Sequence, residues 1–216
     1  MARGSFNRKG INRKVSRSPK LNRALDARAE QMVNQAKNIM LEDFRDHPVS
    51  QEIKAGASAS NSSRTLGGYG NLFTFIGFSA AGTNPVDAIA ALIRRQSYLI
   101  KRGAKIRTAG KQITKNYRVN YASVEDINAS DEARMPWESG SWIRGIEEGI
   151  SSFSYYMYKN FEGSRSGKGL IAKKGGRSGG EPAKVREGSF SAMKYVTHII
   201  YNFRRNIISG ARRKSK

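Results

Sequence analysis

Ser18-Pro19 opens the first strongly patterned segment, with a serine that suits the cap and a proline that suits the first helical position. After it Leu21, Leu25, Ala29, Met32, Val33, Ala36, Met40 and Phe44 recur mostly three or four apart, which predicts an amphipathic helix. The stripe ends at His47-Pro48, because proline disfavours helix in the residue before it. Residues 54–71 are small and polar and predict a long loop. The aromatic and β-branched run 72–78 predicts a buried strand. Asn84-Pro85 then starts a short helix over 86–95, with Val86, Ile89, Ala90 and Ile93 on one face.

Residues 104–109 and 112–124 predict a β-hairpin that turns at Ala109-Gly110-Lys111. In its second arm Ile113, Tyr117, Val119 and Tyr121 alternate with Thr114, Asn116, Arg118 and Asn120, as a half-buried strand requires. Lys115 is the one exception. A polar break at 131–136 precedes Trp142, Ile146, Ile150, Phe153, Met157 and Phe161, whose spacing predicts another helix. Gly145 and Gly149 lie four apart on it and would let another backbone come close. Phe190, Met193, Tyr195, Val196, Ile199, Ile200, Phe203 and Ile207 predict a last helix over 189–208, ending near Gly210. The order α, β, α, β, β, α, α predicts an α+β domain over 21–208, a small, mostly antiparallel sheet packed with amphipathic helices. No internal repeat is visible.

Charge changes the picture more than composition does. The 216 residues hold 39 Lys and Arg against 17 Asp and Glu, a net charge of +22. Residues 1–20 carry Arg3, Arg8, Lys9, Arg13, Lys14, Arg17 and Lys20 and no acid. Residues 163–180 carry Arg165, Lys168, Lys173, Lys174 and Arg177 among seven glycines, again with no acid. Residues 201–216 carry Arg204, Arg205, Arg212, Arg213, Lys214 and Lys216, also with none. The first two segments are too poor in large apolar residues to offset ordering entropy, which predicts a flexible basic arm at 1–20 and a flexible basic Gly-rich loop at 163–180. A basic tail covers 209–216. Such segments suit sequence-independent contact with nucleic-acid phosphates, or docking against a neighbouring subunit. No recognised DNA-reading motif accompanies them.

Catalytic chemistry is poorly supplied. There is no Cys, which removes disulfides, thiolate metal sites and thiol nucleophiles. His47 and His198 are the only histidines, and nothing in the sequence brings either beside a nucleophile. Gly163-Ser164-Arg165-Ser166-Gly167-Lys168-Gly169 departs from a phosphate-binding loop in its spacing, in the missing hydroxyl after Lys168 and in its context. The neighbouring acids Glu125-Asp126, Asp131-Glu132 and Glu147-Glu148 point different ways on any regular element. Glu147 is placed to pair with Arg144 on one helix face. Tyr155, Tyr156 and Tyr158 are expected among helix residues, and Tyr117, Arg118 and Tyr121 on a strand that could stack bases but more simply covers a core. Catalytic, metal and cofactor sites are all expected to be absent. No signal peptide or membrane span is expected, since 1–20 lacks an apolar region and 72–81 is too short to span. Asn61-Ser62-Ser63 is taken as a chance glycosylation match.

His47-Pro48-Val49-Ser50-Gln51-Glu52-Ile53, the run from Thr65-Leu66-Gly67-Gly68-Tyr69-Gly70-Asn71 through Phe78, and Asn84-Pro85 together resemble motifs of tailed-bacteriophage virion proteins of the neck or tail-completion type. Met135-Pro136-Trp137-Glu138, Ser141-Trp142-Ile143-Arg144-Gly145-Ile146-Glu147 and Ser164-Arg165-Ser166-Gly167 are similar to the same group. The resemblance implies a small α+β fold in a homo-oligomeric ring at the head–tail junction of the virion. It further implies contacts with connector and tail proteins, no cofactor and no enzymatic activity. The expected function is therefore structural, with non-specific DNA contact through the basic segments. A sequence-independent nucleic-acid-binding protein is the alternative, and a nuclease or nucleotide hydrolase the remote third.

Overall fold

The computed structural model describes residue 14 and residues 17–66, 70–109, 112–136, 140–148, 155–158, 170–173 and 191–212. Helix α1 (Pro19–Asp46) is followed directly by α2 (Pro48–Ala55) and a 3-10 turn (Gly56–Ser58). Helices α3 (Leu72–Ile76) and α4 (Pro85–Gln96) lead into strands β1 (Tyr98–Ala109) and β2 (Gln112–Asn120). Then come α5 (Val124–Asn128), a 3-10 turn (Asp131–Ala133) and α6 (Trp142–Glu148). Strands β3 (Tyr155–Tyr158) and β4 (Leu170–Lys173) precede the closing helix α7 (Val196–Arg212). β1 pairs with β2 and β3 with β4, both antiparallel, as two separate two-stranded sheets. The fold is α+β, as the pattern predicts.

Local capping explains most helix starts. Ser18 Oγ accepts from Leu21 N, and Asn84 Oδ1 from Val86 N, each with proline in the first turn. Ser123 and Asp126 form a reciprocal capping box at α5. These bonds also hold the Asp126 carboxyl below the usual carboxylate range. The core joins α1, α2, α3, α4, α6 and α7, with Phe44, Val49, Ile53, Ile76, Ile93, Trp142, Ile146 and Phe203 all fully enclosed. Each such side chain contributes roughly 1.5–3 kcal/mol by leaving water.

Five expectations need correction. The run 72–78 is not a strand: Asn71 Oδ1 accepts from Thr74 N to start α3, and Gly77, at φ +79°, closes it in the left-handed region. All of Leu72–Ile76 is buried, with Thr74 Oγ1 donating to Asn71 O as its one polar side chain, so the β-like composition reports burial. His47 does not merely end α1, for its Nδ1 accepts from Val49 N and caps α2, which runs as far as Ala55, just into the expected loop. The helix expected from Trp142 to Phe161 stops its described course at Glu148, and Tyr155–Tyr158 is strand β3, so the three tyrosines lie on a ladder and not a helix. Its partner β4 lies inside the segment expected to be a flexible loop and includes Lys173. The last helix begins at Val196, later than predicted, and runs to Arg212, into the expected tail. Ile150, Phe153 and Phe161, and most of 163–180, lie outside the described residues.

The Lys115 exception has a physical answer. In α1, Val33, Ala36, Met40 and Phe44 are buried, whereas Leu21, Leu25, Ala29 and Met32 are only partly covered. The β1–β2 hairpin packs beside that first half. Asp26 accepts from Lys115 Nζ at 2.5 Å and from Tyr117 Oη at 2.6 Å, while Lys115 also reaches Asn22 Oδ1 at 3.2 Å. Lys101 pairs with Glu30 one turn further along α1. Lys115 thus sits on the inward side of its strand because a carboxylate is waiting there.

Candidate interaction surface

The best-defined surface feature is built around α7. Tyr195, one residue before the helix, is fully buried, and its Oη lies 2.5 Å from Ser50 Oγ on α2. Its ring stacks on Phe44 at 5.4 Å between centroids and packs against His47 at 4.7 Å and Trp142 at 6.2 Å. Burial holds the Tyr195 hydroxyl well above the ordinary phenol range. The Glu147 carboxylate on α6 accepts from Tyr195 N at 3.1 Å, Thr197 N at 2.8 Å and Thr197 Oγ1 at 2.7 Å. This satisfies otherwise orphaned amides with a negative charge at the positive end of α7. The expected Glu147–Arg144 pair is therefore not made: Arg144 Nε donates to Glu148 at 2.8 Å, a full turn away, because Glu147 is engaged as a cap.

With α7 anchored, Val196, Ile199, Ile200 and Phe203 face the core. Tyr201, Arg204, Arg205 and Ile208 then fall on one outward stripe, and all four are exposed. Tyr201 is 61% exposed and Ile208 53%, which makes them two of the four large apolar side chains left open among the described residues. The others are Ile39 and Tyr98. Tyr201, Arg204, Arg205, Ile208 and Ser209 line a shallow groove of about 350 Å³. A larger open groove of about 990 Å³ adjoins it across Tyr201, between α5, α6 and the start of α7. Glu125, Arg144, Glu147, Glu148, Lys194 and His198 line this one.

The two histidines sit in different surroundings. His47 is held by the Val49 amide and the Tyr195 ring, and burial lowers its pKa below the ordinary imidazole value. His198 is exposed on α7 and hydrogen-bonds Asn202 at 3.1 Å. Among the described residues no group of three His, Asp or Glu side chains is placed to hold a metal ion, and no helix is long and apolar enough to cross a membrane.

Of the basic residues predicted as contacts, Lys14, Arg17 and Lys20 are exposed at and just before the start of α1. Lys173 lies in β4 and Arg212 in the last turn of α7. Arg3, Arg8, Lys9, Arg13, Arg165, Lys168, Lys174, Arg177, Arg213 and Lys214 lie outside the described residues. The structure therefore places the described ones apart, at the beginning of α1, in β4 and at the end of α7. The exposure of Tyr201 and Ile208 is not part of the apolar stripe read from the sequence, although their phase, flanking Ile200, Phe203 and Ile207, is the signal that sets them apart. No family model, curated protein or solved structure matches the chain.

Proposed function

We propose that the chain is a non-enzymatic virion structural protein of the phage head–tail junction, a neck or tail-completion protein that forms a homo-oligomeric ring around the DNA channel. The observation that carries the assembly part of this reading, contact with connector and tail proteins, is the outward stripe of α7, where Tyr201 and Ile208 flank Arg204 and Arg205 on an anchored helix. Exposed apolar groups beside fixed positive charge suit protein–protein assembly next to a polyanion. The motif resemblance points the same way. The basic segments at 1–20, 163–180 and 209–216 would contact DNA in the channel or acidic faces of connector and tail proteins.

The test is the absolute mass of the purified chain by light scattering, at low and high salt, with nucleic acid removed. A closed oligomer, or a monomer that forms rings when a partner ring is added, supports the reading. A salt-indifferent monomer that ignores virion proteins yet binds DNA avidly at low salt overturns it. That outcome favours the second reading, sequence-independent nucleic-acid binding, which draws support from the exposed Lys14, Arg17 and Lys20 within the acid-free segment 1–20. Its salt slope would fall when the seven bases of 1–20 are removed.

A further inference from the structure

We infer that the Tyr201–Arg204–Arg205–Ile208 stripe of α7 is a docking surface for an acidic amphipathic segment of a partner protein. The spacing of three, four and seven positions puts the four side chains on one face over two helical turns. The arginines stand between two open apolar groups, so an occupant must offer carboxylates at the centre and apolar side chains at both ends. Charge selects the sign of that occupant: residues 188–216 contain no Asp or Glu, and Lys194, Arg212, Arg213, Lys214 and Lys216 surround the stripe in sequence. A second copy is a poor occupant, because it brings another +22 and the same basic helix. Duplex nucleic acid satisfies the arginines, but its phosphates leave Tyr201 and Ile208 in water, and only an unpaired strand could stack on Tyr201. Only a protein segment covers all four groups. An amphipathic helix laid along α7 does so with the usual anchor spacing.

This inference deepens the assembly reading and rests on it for the partner being a virion protein. The experiment uses the full chain and three labelled probes: a synthetic amphipathic helix of Leu and Glu, a polyglutamate of equal length, and duplex DNA of about 20 base pairs. The wild type is compared with a Tyr201→Ser/Ile208→Ser variant and an Arg204→Gln/Arg205→Gln variant, the thermal midpoint of each being checked. The apolar double variant should bind the Leu/Glu helix roughly tenfold more weakly or worse, with polyglutamate and DNA unchanged. The arginine variant should weaken all three. Hydrogen exchange at α7 should slow when the Leu/Glu helix is added to the wild type, a readout that holds even if a variant folds poorly. Unchanged affinity in the apolar variant, no added protection at α7, or equal loss of DNA binding in that variant overturns the inference. A chain that forms rings but ignores the Leu/Glu helix sinks this inference alone. A chain that binds it through α7 yet never assembles sinks the proposed function and leaves the docking surface standing.

Discussion

The Tyr195 hydroxyl meets Ser50 Oγ at 2.5 Å across 145 positions of sequence, and this contact ties the start of α7 to α2. Both groups are buried, so each is the other's replacement for water. Tyr195→Phe should cost about 1–3 kcal/mol, since it leaves the Ser50 hydroxyl enclosed without that partner. Tyr195→Ala should cost more, about 3–5 kcal/mol, because it also empties the space against Phe44 and Trp142. Urea unfolding of the two variants checks the order. Equal stability of Tyr195→Phe and wild type would show that the contact contributes nothing net.

Glu52 is a buried carboxylate that organises the turns between α2 and α3. It accepts from Asn61 Nδ2 at 3.0 Å, Ser63 N at 2.8 Å and Leu72 N at 2.6 Å. The last of these places its charge at the start of α3. Glu52→Ala strands several enclosed donors and should destabilise the chain by about 2–4 kcal/mol. Limited proteolysis should then cut first within residues 59–66. A variant as resistant as wild type there would refute the organising role.

Asp26 holds the hairpin to α1. Hydrogen bonds from Lys115 and then Tyr117, with the charges of Lys115 and Lys101 behind them, keep its carboxyl below the usual carboxylate range. Because the folded value is depressed, the stabilisation is present above about pH 4, the unfolded carboxylate value, and is lost as pH falls through the folded one. Asp26→Asn should flatten that acid limb. Lys115→Met should cost about 1–3 kcal/mol at neutral pH, an intermediate figure for a pair whose lysine is 8% exposed and whose aspartate is 26% exposed. Stability against pH from pH 2 to 7 is the measurement.

His47 gives the second pH dependence. Its ring is lowered by burial and by the nearby His198, against raising effects from the Lys194 backbone and Glu147. The unfolded chain therefore takes up a proton first, at about pH 6.5, and stability falls as pH drops from there to the lower folded value. A protonated Nδ1 can no longer accept from Val49 N, so the cap of α2 is lost with it. His47→Asn keeps a capping acceptor and should remove this limb while leaving the acid limb of Asp26 in place. An unchanged profile between pH 5 and 7 would refute the assignment.

How much was legible turned on whether a feature is local. Ser18-Pro19 and Asn84-Pro85 mark helix starts because a cap needs only three or four consecutive residues. The β1–β2 hairpin was readable from alternation and a glycine at its turn. The run 72–78 misled because a short segment buried on every side has no period, and only Asn71 and Gly77 at its ends carry the helical information. Glu147 misled for a different reason: its nearest opposite charge in sequence was Arg144, but the amides of Tyr195 and Thr197 arrive from far along the chain.

The amino-acid sequence alone determined the α+β class, the acid-free basic segments and the helix starts at Ser18-Pro19 and Asn84-Pro85, because composition, period and capping act over a few residues. Tertiary structure alone decided that Lys115 turns inward to Asp26, that Ser50 and Tyr195 share a hydrogen bond, and that Tyr201 and Ile208 stay open beside two arginines. Each of those depends on which distant element supplies a partner or withholds one. Packing sets that choice, and no stretch of neighbouring residues records it.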